Sequence, residues 1–149
     1  MVHGLYHFAG FVPRSVVRSL IDSGRHTFLG MHWKDLTVMF TDVKGFTTVS
    51  ETTPPNLLVQ ALQMYFDVLT TGIVESKGTI DKYIGDGLMA FWNSPEPVEN
   101  HQQRAVECAI RIQRAIRENR LWTTRIGLHT DRVLVGTMGC QARVSYTTL

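Results

Sequence analysis

Hydrophobic and polar positions alternate cleanly over residues 35–42, DLTVMFTD, which predicts a β-strand. Leu36, Val38 and Phe40 share one face, and Asp42 continues that face at the strand's end. Pro54-Pro55 suits a helix start, because proline tolerates the first turn and fixes φ there. Leu58, Leu62, Tyr65, Leu69 and Ile73 then recur at helical spacing until Lys77-Gly78 ends the run. GTIDKYIGDGLMAFWN follows, two β-rich runs around Gly85-Asp86-Gly87, and Asp-Gly is a tight-hairpin signal. A second helix is predicted from about Glu99 to Asn119, with Ala105, Cys108, Ala109, Ile112 and Ile116 as its buried stripe. Two strand-like runs, TTRIGLH and RVLVGT, come next, and the chain closes on RVSYTTL. Near the start, Val16, Val17, Leu20 and Ile21 predict a lead-in helix from Pro13 to Ile21, broken by Ser23-Gly24. The order strand–helix–strand–strand–helix–strand predicts an α+β domain, an antiparallel sheet with helices packed on one face.

Composition narrows the classes of function. The chain has 149 residues, 44% of them hydrophobic and 19% charged, enough for one domain with an ordinary core. A net charge of +2 with scattered Lys and Arg gives no basic stripe, so no nucleic-acid partner is expected. Cys108 and Cys140 lie far apart without metal-ligand spacing and read as free thiols of a reducing compartment. No stretch approaches 18 consecutive apolar residues, so no membrane insertion by this chain is expected. The opening MVHGLYHFAGF lacks the basic leader and small-residue cleavage site of a signal peptide.

Candidate chemistry centres on two carboxylates. Asp42 ends the first strand and Asp86 sits at the hairpin tip, sites that can meet at one edge of the sheet. Two such groups side by side repel unless a cation lies between them, and oxygen ligands without Cys or His favour Mg²⁺ or Mn²⁺. Taken singly, each aspartate reads equally well as a turn residue. After Asp42 the sequence Val43-Lys44-Gly45-Phe46-Thr47 offers a glycine turn whose N–H groups can converge on a phosphate. Lys82 sits by alternation on the face of Ile80 and Ile84. Either its stem lies along apolar surface with the ammonium in water, or the ammonium has a partner in a pocket.

Three blocks, LTVMFTDVKGFTTVSE, GTIDKYIGDGLMAFWNSP and TRIGLHTDRVLVGTMG, resemble in order and separation the signature blocks of class III adenylyl and guanylyl cyclases. The resemblance runs from about Phe11 to the last residue. It implies a ferredoxin-like βαββαβ domain over residues 35–149, preceded by a lead-in segment over 1–34. It also implies conversion of ATP to 3′,5′-cyclic AMP and pyrophosphate with two Mg²⁺ or Mn²⁺ ions. Asp42 and Asp86 match the metal-binding aspartates, and the Val43 carbonyl matches the backbone metal ligand. Gly45, Phe46 and Thr47 match the triphosphate turn, and Arg125 a basic residue on the terminal phosphates. Lys82 and Thr147 match the pair that reads the base, in the combination typical of the class IIIb adenylyl cyclases. Lysine only donates, as adenine N1 requires, and a hydroxyl can accept from the adenine amino group.

Some features depart from the family pattern. Asp131 stands where a glycine follows the His-Thr pair, a change expected to alter a hairpin there, and Thr137 replaces a common asparagine. The chain reaches Leu149 before the Val-Asn-x-Ala-x-Arg helix that carries the family's transition-state asparagine and arginine. The expectation is therefore a domain cut short at its C-terminus and inactive alone. The family builds its site between two subunits, which implies a homodimer or a second cyclase domain. A cytoplasmic location is expected, with or without tethering through segments outside this chain. Three rival readings stay open: a non-catalytic nucleotide-binding or regulatory domain, a plain dimerisation module, and a guanylyl cyclase.

Overall fold

Strand β1 runs from Gly30 to Val43, starting five residues before the alternating stretch, because its first half pairs with a long partner strand. The structure, a computed structural model, describes residue 18 and residues 30–140 and 143–149. Apart from Arg18, the lead-in helix expected from Pro13 to Ile21 lies outside the described residues. After β1 come α1 (Phe46–Thr52), α2 (Pro55–Glu75), β2 (Thr79–Ile84), β3 (Gly87–Trp92), α3 (His101–Glu118), β4 (Thr124–Cys140) and β5 (Arg143–Thr148). The five strands form one sheet in the order β2-β3-β1-β4-β5, every neighbouring pair antiparallel. The expected α+β architecture is present, with two additions. A short helix, α1, follows β1 directly, and RVSYTTL forms a fifth strand.

The runs TTRIGLH and RVLVGT, expected as two strands, are one. β4 pairs with β1 without interruption from Val43↔Thr124 to Gly30↔Thr137. Asp131 lies mid-strand opposite Leu36, so the hairpin expected there does not exist. Nothing local forces a turn. The Thr130 hydroxyl is bonded to Thr37 Oγ1 across the ladder at 2.7 Å, and the Asp131 carboxylate accepts from the Arg132 N–H at 2.7 Å. Thr137 sits further along the same strand, opposite Tyr146 of β5.

Helices α2 and α3 cover one face of the sheet. Tyr65, Leu69 and Ile73 from α2, and Ala105, Cys108, Ile112 and Ile116 from α3, pack on Met39, Val43, Leu88, Ala90 and Trp92. Cys108 is a free thiol there, and burial raises its pKa. By length and composition alone α2 could cross a membrane, with a mean hydropathy of 1.4 over its best window. In the fold, however, its Tyr65–Ile73 stripe is core. The opposite face of the sheet is also covered. Leu36, Val38, Met89, Phe91, Val135 and Tyr146 form a second cluster. That cluster exists because the sheet curls. The backbone of β5 pairs with β4 at the sheet's edge, yet Tyr146 lies 6.0 Å, ring to ring, from Phe91 on β3, and its hydroxyl bonds to Ser94 Oγ. The two edges of the sheet are thereby brought together over the concave side.

Candidate active site

Asp42 and Asp86 meet at one end of the sheet because β1 and β3 approach unusually closely. Gly87 opens β3, and a Cβ on it would lie 2.0 Å from the Thr41 carbonyl oxygen, so only glycine fits. The close approach lets Leu88 N–H donate to Thr41 Oγ1 at 3.1 Å and Val43 N–H donate to Asp86 Oδ2 at 2.8 Å. The hairpin tip is thus pinned beside the end of β1, one residue from Asp42. The Asp42 carboxylate accepts two hydrogen bonds from Arg125, Nε to Oδ1 at 2.7 Å and a terminal nitrogen to Oδ2 at 2.8 Å. Arg125 is directly opposite Asp42 in the β1–β4 ladder, and this fork-to-carboxylate pairing raises the guanidinium pKa. Read from the sequence as a phosphate contact, Arg125 here is the counter-ion of Asp42.

The glycine turn has the expected form. Gly45 adopts a left-handed conformation (φ 70°), and α1 begins at Phe46 with no side-chain cap on its first turn. The Lys44 N–H donates to the Thr123 carbonyl at 2.8 Å, which ties the turn to the start of β4. The Phe46 side chain serves packing: it meets Trp122 edge-on at 5.9 Å, and Trp122 in turn packs on Tyr65 at 5.7 Å. Thr47 is exposed. What this segment offers a ligand is therefore backbone N–H groups and the Thr47 hydroxyl. The donor set of Asp42, the Val43 carbonyl and Asp86 consists of oxygens alone, two of them anionic, and that fits a hard divalent cation. Among the described residues no cluster of three or more His, Cys, Asp or Glu side chains adds further ligands.

Lys82 and Thr147 also come together, through a residue the sequence reading passed over. The β2–β3 ladder slips between Ile80 and Lys82, leaving Asp81 as an extra residue in a β-bulge. This corrects the placement of Lys82. Ile80 stays on the helix-covered face against the main core, whereas Lys82 lies opposite Met89 of the concave cluster. At the bulge Asp81 meets β5, where Thr147 Oγ1 donates to its Oδ2 at 2.6 Å. Lys82 Nζ lies 3.8 Å from the other carboxylate oxygen. Asp81 is almost fully enclosed, its side chain 2% exposed against 50% for Lys82. Burial raises the Asp81 pKa, while Thr147 and Lys82 act in the opposite direction. No periodicity signals this residue, since regular alternation would put Asp81 in solvent. Its one trace in the sequence is an acid directly before the lysine.

Comparison with known proteins identifies the family. Residues 31–148 match the family model described as the adenylate and guanylate cyclase catalytic domain. The chain belongs to that family, the class III nucleotide cyclases. It is 33% identical to adenylate cyclase 1 of Rhizobium meliloti (strain 1021), over 97% of this chain and 23% of that protein. It is 27% identical to an adenylate cyclase of Anabaena cylindrica, over 95% of this chain and 30% of that protein. The chain thus spans less than a third of these two curated relatives. Among solved structures, the guanylyl cyclase Cya2 aligns with a TM-score of 0.76 and 31% identity, covering 81% of this chain and 66% of that one. The adenylyl cyclase CyaB from P. aeruginosa aligns with a TM-score of 0.77 and 28% identity, covering 81% and 68%.

Proposed function

We propose that this chain is the catalytic domain of an adenylyl cyclase, converting ATP to 3′,5′-cyclic AMP and pyrophosphate. Overall similarity does not choose the base, because a guanylyl and an adenylyl cyclase resemble the chain about equally, at 31% and 28% identity. The observation that carries the choice is the juxtaposition of Lys82 and Thr147 around Asp81. An ammonium that only donates suits adenine N1, and a hydroxyl beside it suits the adenine amino group. In this reading the N–H groups after Gly45 and the Thr47 hydroxyl hold the triphosphate, and Arg125 exchanges part of its pairing with Asp42 for the terminal phosphates. Asp42, the Val43 carbonyl and Asp86 hold two Mg²⁺ or Mn²⁺ ions. The chemistry such ions supply when bound is activation of the ribose 3′-hydroxyl and neutralisation of the leaving pyrophosphate. The residues orient that hydroxyl for in-line attack on the α-phosphate.

A second copy, or a second cyclase domain, completes the site in this proposal. Phe40 and Ile84 support that reading: they flank the Asp42 and Asp86 corner with 51% and 53% of their surface exposed. The test is base preference. Assayed with Mn²⁺ in a longer protein that also supplies the transition-state asparagine and arginine, this domain is expected to turn over ATP in preference to GTP. Lys82→Glu is expected to weaken ATP use by about 1–3 kcal/mol, the scale of one mispaired polar group. Comparable ATP and GTP turnover by the unaltered protein refutes the assignment.

A further inference from the structure

A threonine hydroxyl can donate or accept, so Thr147 alone does not distinguish the amino group of adenine from the carbonyl of guanine at the same ring position. We propose that Asp81 removes this ambiguity by taking the hydroxyl proton of Thr147, making Thr147 an obligate acceptor and Asp81 a positioning residue for base selection. The inference rests on the reading that Lys82 and Thr147 face the base.

Three observations carry it. The Thr147 Oγ1 to Asp81 Oδ2 distance is 2.6 Å, a short charge-assisted bond. Among the described residues the one other acceptor near that hydroxyl, the Thr148 carbonyl, is at 3.4 Å and cannot compete. Both partners are largely screened from solvent, Thr147 at 2% exposure and the Asp81 side chain at 2%, which favours the bond between them over one to water. An ionised carboxylate has acceptors only, so the O–H must point at Asp81, and the Oγ1 lone pairs are left for a ligand. An adenine amino group satisfies them. A guanine carbonyl would set acceptor against acceptor. The same carboxylate has Lys82 Nζ 3.8 Å from its second oxygen, so one buried acid orients both residues of the pair. The β-bulge makes this possible, since it moves Lys82 off the face it would share with Ile80 in regular register and onto the concave side beside Asp81.

The experiment measures affinities for 3′-deoxy-ATP and 3′-deoxy-GTP by calorimetry with Mg²⁺. Both lack the attacking hydroxyl and stay intact during titration. Asp81→Ala and Asp81→Leu each remove the acceptor, and leucine also fills the space should the smaller side chain fail to fold. Each is expected to lower the adenine-to-guanine affinity ratio by roughly 10- to 100-fold, the scale of one mispaired buried group. A purely structural role would weaken both nucleotides alike and leave the ratio unmoved. Thr147→Val keeps the shape and removes the hydroxyl. If the ratio falls in Thr147→Val but holds in both Asp81 variants, the proposal is overturned while the base-reading assignment stands. If Thr147→Val leaves the ratio unchanged, that assignment fails and the proposal falls with it. In the Thr147→Val background, Asp81→Leu is expected to change the ratio little further. An undiminished effect there would show that Asp81 acts through Lys82 alone and would refute its control of the hydroxyl.

Discussion

Replacing Gly87 with alanine tests whether the close approach of β1 and β3 is what builds the proposed metal-binding corner. The added Cβ would sit 2.0 Å from the Thr41 carbonyl oxygen and 3.1 Å from its carbon. Both atoms are backbone, so relief requires the strands to separate by about 1 Å rather than a side chain to rotate. Overpacking of this kind costs about 1–3 kcal/mol. Separation also stretches the Val43 N–H to Asp86 bond from 2.8 Å, and a bond to a charged acceptor contributes about 1.5–3 kcal/mol. The two losses share one movement and do not simply add, which gives roughly 2–4 kcal/mol. For a chain of this length that is a fall in Tm of roughly 5–15 °C by scanning calorimetry. Because Asp86 moves with the hairpin tip, Mn²⁺-dependent cyclase activity of a full-length protein is expected to fall more steeply than stability. Gly127→Ala is the control for stability, since a Cβ there meets nothing within 4 Å. A Gly87→Ala protein that melts within about 1 °C of the parent and keeps its activity would refute the reasoning.

Two further predictions follow from the same geometry. In a full-length protein, Asp42→Ala and Asp86→Ala are each expected to reduce cyclic nucleotide formation by at least ~10²-fold, assayed with Mn²⁺, and near-normal activity in either would count against the metal assignment. Their stability effects should differ: the Asp42–Arg125 pair is solvent-exposed, so its loss should change stability little, whereas loss of Asp86 also strips the Val43 N–H of its acceptor. The other concerns pH. His101 is buried against Thr37 Oγ1 at 2.7 Å, and burial holds its pKa below the ordinary 6.5. The unfolded chain therefore binds the imidazole proton more readily, so stability is full above the ordinary value and is lost as pH falls from there through the lowered native value. Denaturant titrations between pH 7 and 5 should show this loss, and His101→Gln should lack it; an identical slope in both would remove His101 as the cause.

Much of this protein is legible in the residues themselves. The α2 and α3 stripes, the Asp-Gly hairpin and the start at Pro54-Pro55 are local signals. They act between residues a turn or a strand step apart, and the structure keeps each of them. The family resemblance likewise points to Asp42, Asp86 and Lys82 in its blocks and to Thr147 in the closing run, without coordinates. Alternation in β1 separates two faces but does not say which one meets the helices. Leu36 and Val38 turn out to face away from them, and Met39 and Val43 toward them, because both sides of this sheet are covered. The unbroken course of β4 past Asp131 was equally invisible, since it depends on fourteen residues of β1 lying alongside. Most consequential is the bulge at Asp81. A one-residue slip reverses which side chains point inward, and it is decided by packing between β2, β3 and a strand 66 residues away. The identities of the site residues thus belong to the sequence. Their pairing, Arg125 on Asp42 and Asp81 beneath Lys82 and Thr147, exists only once a curled sheet has brought its distant edges together.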